Sequence, residues 1–100
     1  MSEHICSKDE IFAAVAPLLK KYRAEKAILF GSYARQDADA ASDIDLIVVG
    51  GEDFDLTDVL CIAEELHRAL GKAVDVYELR EIDPRSAFYH TILTEGVQIA

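Results

Sequence analysis

Residues 27–49 read AILFGSYARQDADAASDIDLIVV, and the two ends of this stretch decide what kind of fold contains it. Ala27 to Phe30 is a short apolar run that stops at Gly31, the pattern of a buried strand closed by a turn. Ser32 to Arg35 suits one helical turn, and the polar segment from Gln36 to Ser42 suits a loop. Asp43 to Val49 then reads as a second strand that Gly50 and Gly51 stop. Apart from its two acids this strand is apolar on both faces, as a central strand is. Asp43 and Asp45 are two apart, so on a strand both carboxylates leave the same face. At a separation of about 5 Å and an effective dielectric near 20, two unit charges repel by roughly 3 kcal/mol. Either one carboxylate takes up a proton, or a cation lies between them, or both are solvated at the strand's fringe.

The same grammar extends outward in both directions. Upstream, Ser7 with Glu10 three positions later is a capping-box start, followed by Ile11, Ala14, Val15, Leu18, Leu19 and Tyr22 at helical spacing. Pro17 sits inside that pattern and is expected to kink or divide the helix. Downstream, Asp55 reads as the N-cap of a helix with a stripe of Leu56, Val59, Ala63, Leu66 and Leu70, ended by Gly71. Ala73 to Leu79 alternates like a strand, Asp83-Pro84 opens a last helix closed by Gly96, and Val97 to Ile99 adds a short terminal strand. The resulting order predicts an α/β (α+β) domain with one small three- to four-stranded sheet flanked by helices.

Composition narrows the functions such a fold can carry. The 100 residues are 51% hydrophobic with two prolines, which excludes a disordered segment, and residues 1–100 read as a single domain. Ten Lys and Arg stand against 19 Asp and Glu, a formal charge of −9. So acidic a surface repels phosphate backbones and anionic membranes, and suits a basic protein partner or divalent cations. The start, MSEHICSKDE, reads as no signal peptide, and the longest apolar run is far short of a membrane span. Cys6 and Cys61, outside any C-x-x-C pattern, read as reduced thiols of a cytoplasmic protein. His4, His67 and His90 share no ligand spacing, so zinc is not expected. Glu64, Glu65 and Arg68 read as a solvated helix face, and Tyr33 and Tyr77 as packing residues.

A third acid, Asp75, stands between Val74 and Val76 in a predicted strand. If that strand neighbours the one carrying Asp43 and Asp45, three carboxylates share one patch, an oxygen-only set suited to Mg²⁺ or Mn²⁺. Gly31 lets a backbone approach a ligand closely, and Ser32 offers a hydroxyl to an anion. Arg35 suits either a phosphate or a pairing with Asp37 or Asp39. Rival motifs fail. From Asp37 an EF-hand lacks its Gly at position six and Glu at twelve, and the chain contains neither G-x-x-x-x-G-K-[ST] nor H-E-x-x-H.

Gly31-Ser32, ten residues, then Asp43-Ile44-Asp45 resembles the G-S-x10-D-x-D signature of the polymerase-β-like nucleotidyltransferases, and most of all their minimal nucleotidyltransferase (MNT) group. The resemblance covers most of the chain; one departure is Gln36, where many relatives carry Gly. It implies that Asp43, Asp45 and Asp75 hold two Mg²⁺ ions, with Mn²⁺ as a substitute, and that Gly31 and Ser32 hold the β- and γ-phosphates of ATP. It further implies transfer of AMP to a hydroxyl, with Asp75 as an acceptor for its proton, and a HEPN-domain toxin as partner. Within the group, MNT proteins act as antitoxins by transferring AMP to a tyrosine of that toxin. Two other expectations stand beside this one: an antitoxin that masks its partner by contact alone, and a small-molecule nucleotidyltransferase of the antibiotic-modifying type. Intact Ser32, Asp43, Asp45 and Asp75 speak against the first, and the lack of residues for an acceptor-binding domain against the second. Phe88, Tyr89, Ile92 and Leu93 crowd apolar surface onto the last helix, and any excess is available to a partner.

Overall fold

Ser7 opens the first helix through the expected capping box: the Glu10 amide donates to Ser7 Oγ at 3.1 Å, and the Ser7 amide to Glu10 Oε1 at 3.1 Å. The structure is a computed structural model and describes residues 5–100; His4 and the beginning of the segment read for a signal peptide lie outside the described residues. Helix α1 runs Lys8–Lys21 and is not divided at Pro17. The one amide bond lost there is outweighed by Ile11, Val15, Leu18 and Leu19, which are buried on either side of the exposed proline.

Strand β1 (Lys26–Phe30) leads directly into the one-turn helix α2 (Gly31–Arg35), and β2 (Ile44–Val49) returns antiparallel to β1. Helix α3 (Asp58–Leu70) is the crossover that parallel pairing requires, and β3 (Val74–Glu78) lies parallel to β2. A 3₁₀ turn at Leu79–Glu81, helix α4 (Ala87–Glu95) and strand β4 (Val97–Gln98) complete the chain. The mixed sheet has the order β3-β2-β1-β4.

Residue parity divides the sheet into two faces. Ala27 and Leu29 of β1, with Ile44, Leu46 and Val48 of β2, join Ile11, Val15, Ile62 and Leu66 in a core beneath α1 and α3. Phe30 and Ile47, of opposite parity, pack instead with Ile82 and Ile92 beneath α4. Two helix starts differ from expectation. Asp55 does not cap α3: its Oδ1 accepts from the Thr57 amide at 3.0 Å and the Thr57 hydroxyl at 2.8 Å, forming a turn that delays the helix to Asp58 and leaves Leu56 exposed. Asp83 likewise folds onto the Arg85 amide at 2.9 Å, so Ser86 caps α4 by accepting from the Tyr89 amide at 3.1 Å. Among the described residues no helix is long and apolar enough to cross a membrane.

Candidate active site

Asp45 sits where the sheet brings three elements together. In the ladder it is paired with Phe30 of β1 on one side and with Asp75 of β3 on the other. Phe30 immediately precedes Gly31, and the consequence is close contact: a Cβ added to Gly31 would lie 2.6 Å from Asp45 Oδ2. Gly31 also has φ +72°, a left-handed backbone that other residues adopt at a cost. Two independent constraints therefore require glycine at residue 31, and the nearest group to it is the Asp45 carboxylate.

Asp45 is half-buried, whereas Asp43 and Asp75 are exposed. Burial holds the Asp45 carboxyl above the usual carboxylate range; the charges of Asp75 and then Asp43 push it the same way, and Arg35 pulls it back. Asp43 stands one residue before β2, not within it, so the shared-face argument made for the pair holds for Asp45 and Asp75 through the ladder instead. Among the described residues no three His, Cys, Asp or Glu side chains are already gathered for a metal ion. Like charges on an open surface have no reason to close up without a cation between them. The donor set nonetheless fits one: all ligands are oxygens, and the least solvated of them gains from a positive neighbour.

Ser32 follows Gly31 in the first turn of α2 and is half-buried. Arg35, at the other end of that turn, is half-exposed and pairs with Asp37 (Nε to Oδ2, 3.3 Å) and with Glu95 at the end of α4 (Nη1 to Oε1, 3.6 Å). Asp39, the alternative partner, is engaged elsewhere: its Oδ1 accepts from the Ala41 amide at 2.9 Å. Gln36 closes α2 in the left-handed region at φ 64°, a backbone that favours glycine. Tyr33 is buried as a packing residue, but Tyr77 is 39% exposed and stacks edge-on against Phe88 with centroids 6.0 Å apart.

Several residues of consequence were not legible in the sequence. Glu65 is more than a solvated side chain, since it accepts from Lys21 Nζ at 3.0 Å and from the Tyr22 hydroxyl, tying α3 to α1. Glu78 is buried at the far end of β3 from Asp75, accepting from the Gly50 amide at 3.0 Å and pairing with Arg80 at 3.2 Å. Lys72 is buried in the turn before β3. Parity was the available signal for Glu78, which shares a face with Val74 and Val76; nothing in the sequence marked Lys72 or the Arg35–Glu95 pair.

Known proteins resemble this chain over nearly its whole length. The profile of the family "Polymerase beta, Nucleotidyltransferase" matches residues 14–100. MJ0435 of Methanocaldococcus jannaschii, provisionally named a protein adenylyltransferase, is 38% identical over 91 residues, covering 91% of this chain and 96% of that protein. A solved structure provisionally described as a minimal nucleotidyltransferase superposes with a TM-score of 0.78 at 29% identity, covering 96% of this chain and 98% of the other. A crystal structure of a toxin-antitoxin with AMP-PNP superposes with a TM-score of 0.76 at 26% identity, covering 95% of this chain and 73% of that one.

Proposed function

The chain belongs to the polymerase β nucleotidyltransferase family and is an enzyme of that class, and we propose that it moves AMP from ATP onto a hydroxyl of a protein partner. The observation that carries the reading is the register that sets Asp45 beside Asp75 while Gly31 lies against the Asp45 carboxylate. We assign Asp43, Asp45 and Asp75 as the residues that would hold divalent metal, Mg²⁺ or Mn²⁺. When bound, two such ions supply Lewis-acid stabilisation of the entering and leaving oxygens.

The chain's own residues account for the remaining work. Gly31 and Ser32 hold the β- and γ-phosphates, the glycine by leaving the space free and the serine through its hydroxyl. Arg35 lends positive charge to the same phosphates, in competition with Asp37 and Glu95. The acceptor oxygen attacks the α-phosphorus, the bond to the β-phosphoryl oxygen breaks, and pyrophosphate leaves. Asp75, exposed on the edge strand of the sheet, takes the hydroxyl's proton. Catalysis of this kind is mostly positioning and electrostatics, which a rigid ladder pair provides.

For the partner we propose a HEPN-domain toxin, with a tyrosine as acceptor and restraint of the toxin as the outcome. The likeness to a toxin-antitoxin bound to a nucleotide analogue supports this, as do the charge of −9 and the apolar surface that α4 leaves open at Leu93 (66% exposed) and Phe88 (37% exposed). We also propose that residues 1–100 act as one minimal nucleotidyltransferase domain in the cytoplasm. The test is incubation of the complex with ATP labelled at the α-phosphate. Label should pass to the partner only with divalent cation, and the Asp43→Asn/Asp45→Asn double variant should transfer none. Full labelling by that variant would overturn the assignment.

A further inference from the structure

Lys72 is charged yet only 6% exposed, and the reaction described above gives it no part. Burying an ammonium is costly where an apolar side chain could fill the same space, so its bonds need an explanation. Its Nζ donates to the Ala40 carbonyl at 2.6 Å. Its own carbonyl lies 2.7 Å from His67 Nδ1, which fastens Lys72 to the last turn of α3. Ala73, the next residue, accepts from the Ile44 amide at 3.0 Å at the start of β2.

Ala40 belongs to the loop that ends on Asp43. That loop is closed on itself, with the Asp39 amide donating to Ser42 Oγ at 2.9 Å and the Ser42 amide to the Asp39 carbonyl at 3.1 Å. Among the described residues, the Lys72 ammonium makes the one hydrogen bond that enters residues 38–42 from outside the loop. Beside it a cavity of about 330 Å³, lined by Ser42, Asp43, His67 and Lys72 among others, separates the loop from the α3–β3 turn. Without that bond, the loop has room to shift and Asp43 would shift with it.

We propose that Lys72 is a positioning residue: by holding the Ala40 carbonyl it fixes the loop that presents Asp43 to the metal. The inference rests on the reading of Asp43 as a metal ligand. Mn²⁺ alone, titrated by electron paramagnetic resonance against the whole chain, tests both separately. Lys72→Met keeps the apolar stem and removes the donor; it should weaken Mn²⁺ binding about tenfold, the usual scale for residues that orient a ligand. Asp43→Asn should weaken it as well, and the double variant should bind no worse than Asp43→Asn alone. Wild-type affinity in folded Lys72→Met, or fully additive losses in the double variant, would overturn the positioning role while leaving the metal site intact. A wild-type chain that binds no Mn²⁺ would overturn the metal reading and this inference with it. Should Lys72→Met fail to fold, backbone order parameters of the wild type decide. Values for Ala40 to Ser42 near the rigid level of about 0.85 are expected, and values below about 0.6 would contradict a held loop.

Discussion

Gly31 and Asp45 make the site a matter of single atoms. Gly31→Ala forces a left-handed alanine, at about 1–2 kcal/mol, and places a methyl group 2.6 Å from Asp45 Oδ2, so the carboxylate must move. Its Tm should fall by roughly 4–16 °C, and transfer by the folded variant should fall on the order of a hundredfold, the scale for losing one preorganised charge. Near-normal transfer would show that the carboxylate can move aside without consequence. Asp45 allows a second prediction, with the opposite sign for stability. Its folded carboxyl titrates above the unfolded value, so between those values the folded state binds more protons than the unfolded one. The penalty for ionising it is absent below the unfolded value near 3.8, grows as pH rises through the raised folded value, and is complete above that. Asp45→Asn should therefore raise the Tm of the metal-free protein at neutral pH, and the gain should vanish near pH 4, while transfer is abolished. Thermal melts across pH check this, and a variant no more stable than wild type at pH 7 would contradict it.

Strand β3 separates two tasks along five residues. Asp75, near its start, is the acid we assign to the metal site, and Glu78, at its end, is buried and holds the Gly50 amide that follows β2. Glu78→Ala leaves that amide without its partner, which costs about 2 kcal/mol, or roughly 8–16 °C of Tm. Because the residue lies away from the carboxylate site, kcat of the folded fraction should remain within about twofold of wild type, on the footing that distant sites act independently. A large drop in kcat at unchanged Tm would reverse the assignment. The two strand acids also show what the sequence could reveal. Asp45 and Asp75 stood out in the sequence because an acid flanked by apolar strand residues is anomalous, whereas Asp43, which follows Ser42, was read into a strand that begins only at Ile44; the elements around them followed from period and punctuation. Asp55 and Asp83 misled because an Asp beside a helix start can fold onto the second amide after it instead of capping the helix. Pro17 misled because packing on both sides outweighs one lost bond. The Gly31–Asp45 contact, the Lys72 bond and the Arg35–Glu95 pair depend on distances across the fold, which no local pattern encodes.

At the scale of the whole molecule, charge and fold point to a bound state. With a formal charge of −9, association with a basic partner should be fast at low salt and slow as the Debye length shortens below about 8 Å. Exposed Leu93 and Phe88 should keep the dissociation rate comparatively insensitive to salt, since apolar burial is not screened. Stopped-flow mixing over a salt series separates the two rates, and a salt-independent association rate would remove charge from the account. Contact and catalysis differ in what they leave behind: masking ends when the partners separate, whereas a transferred nucleotide remains. The most direct measurement is therefore to incubate the complex with ATP and Mg²⁺, separate the chains, and weigh the partner by mass spectrometry while assaying its activity. The account predicts a partner heavier by one or more AMP groups that stays restrained after separation, with no gain in mass when Asp45→Asn replaces the wild type. A partner of unchanged mass that regains full activity on separation would contradict it.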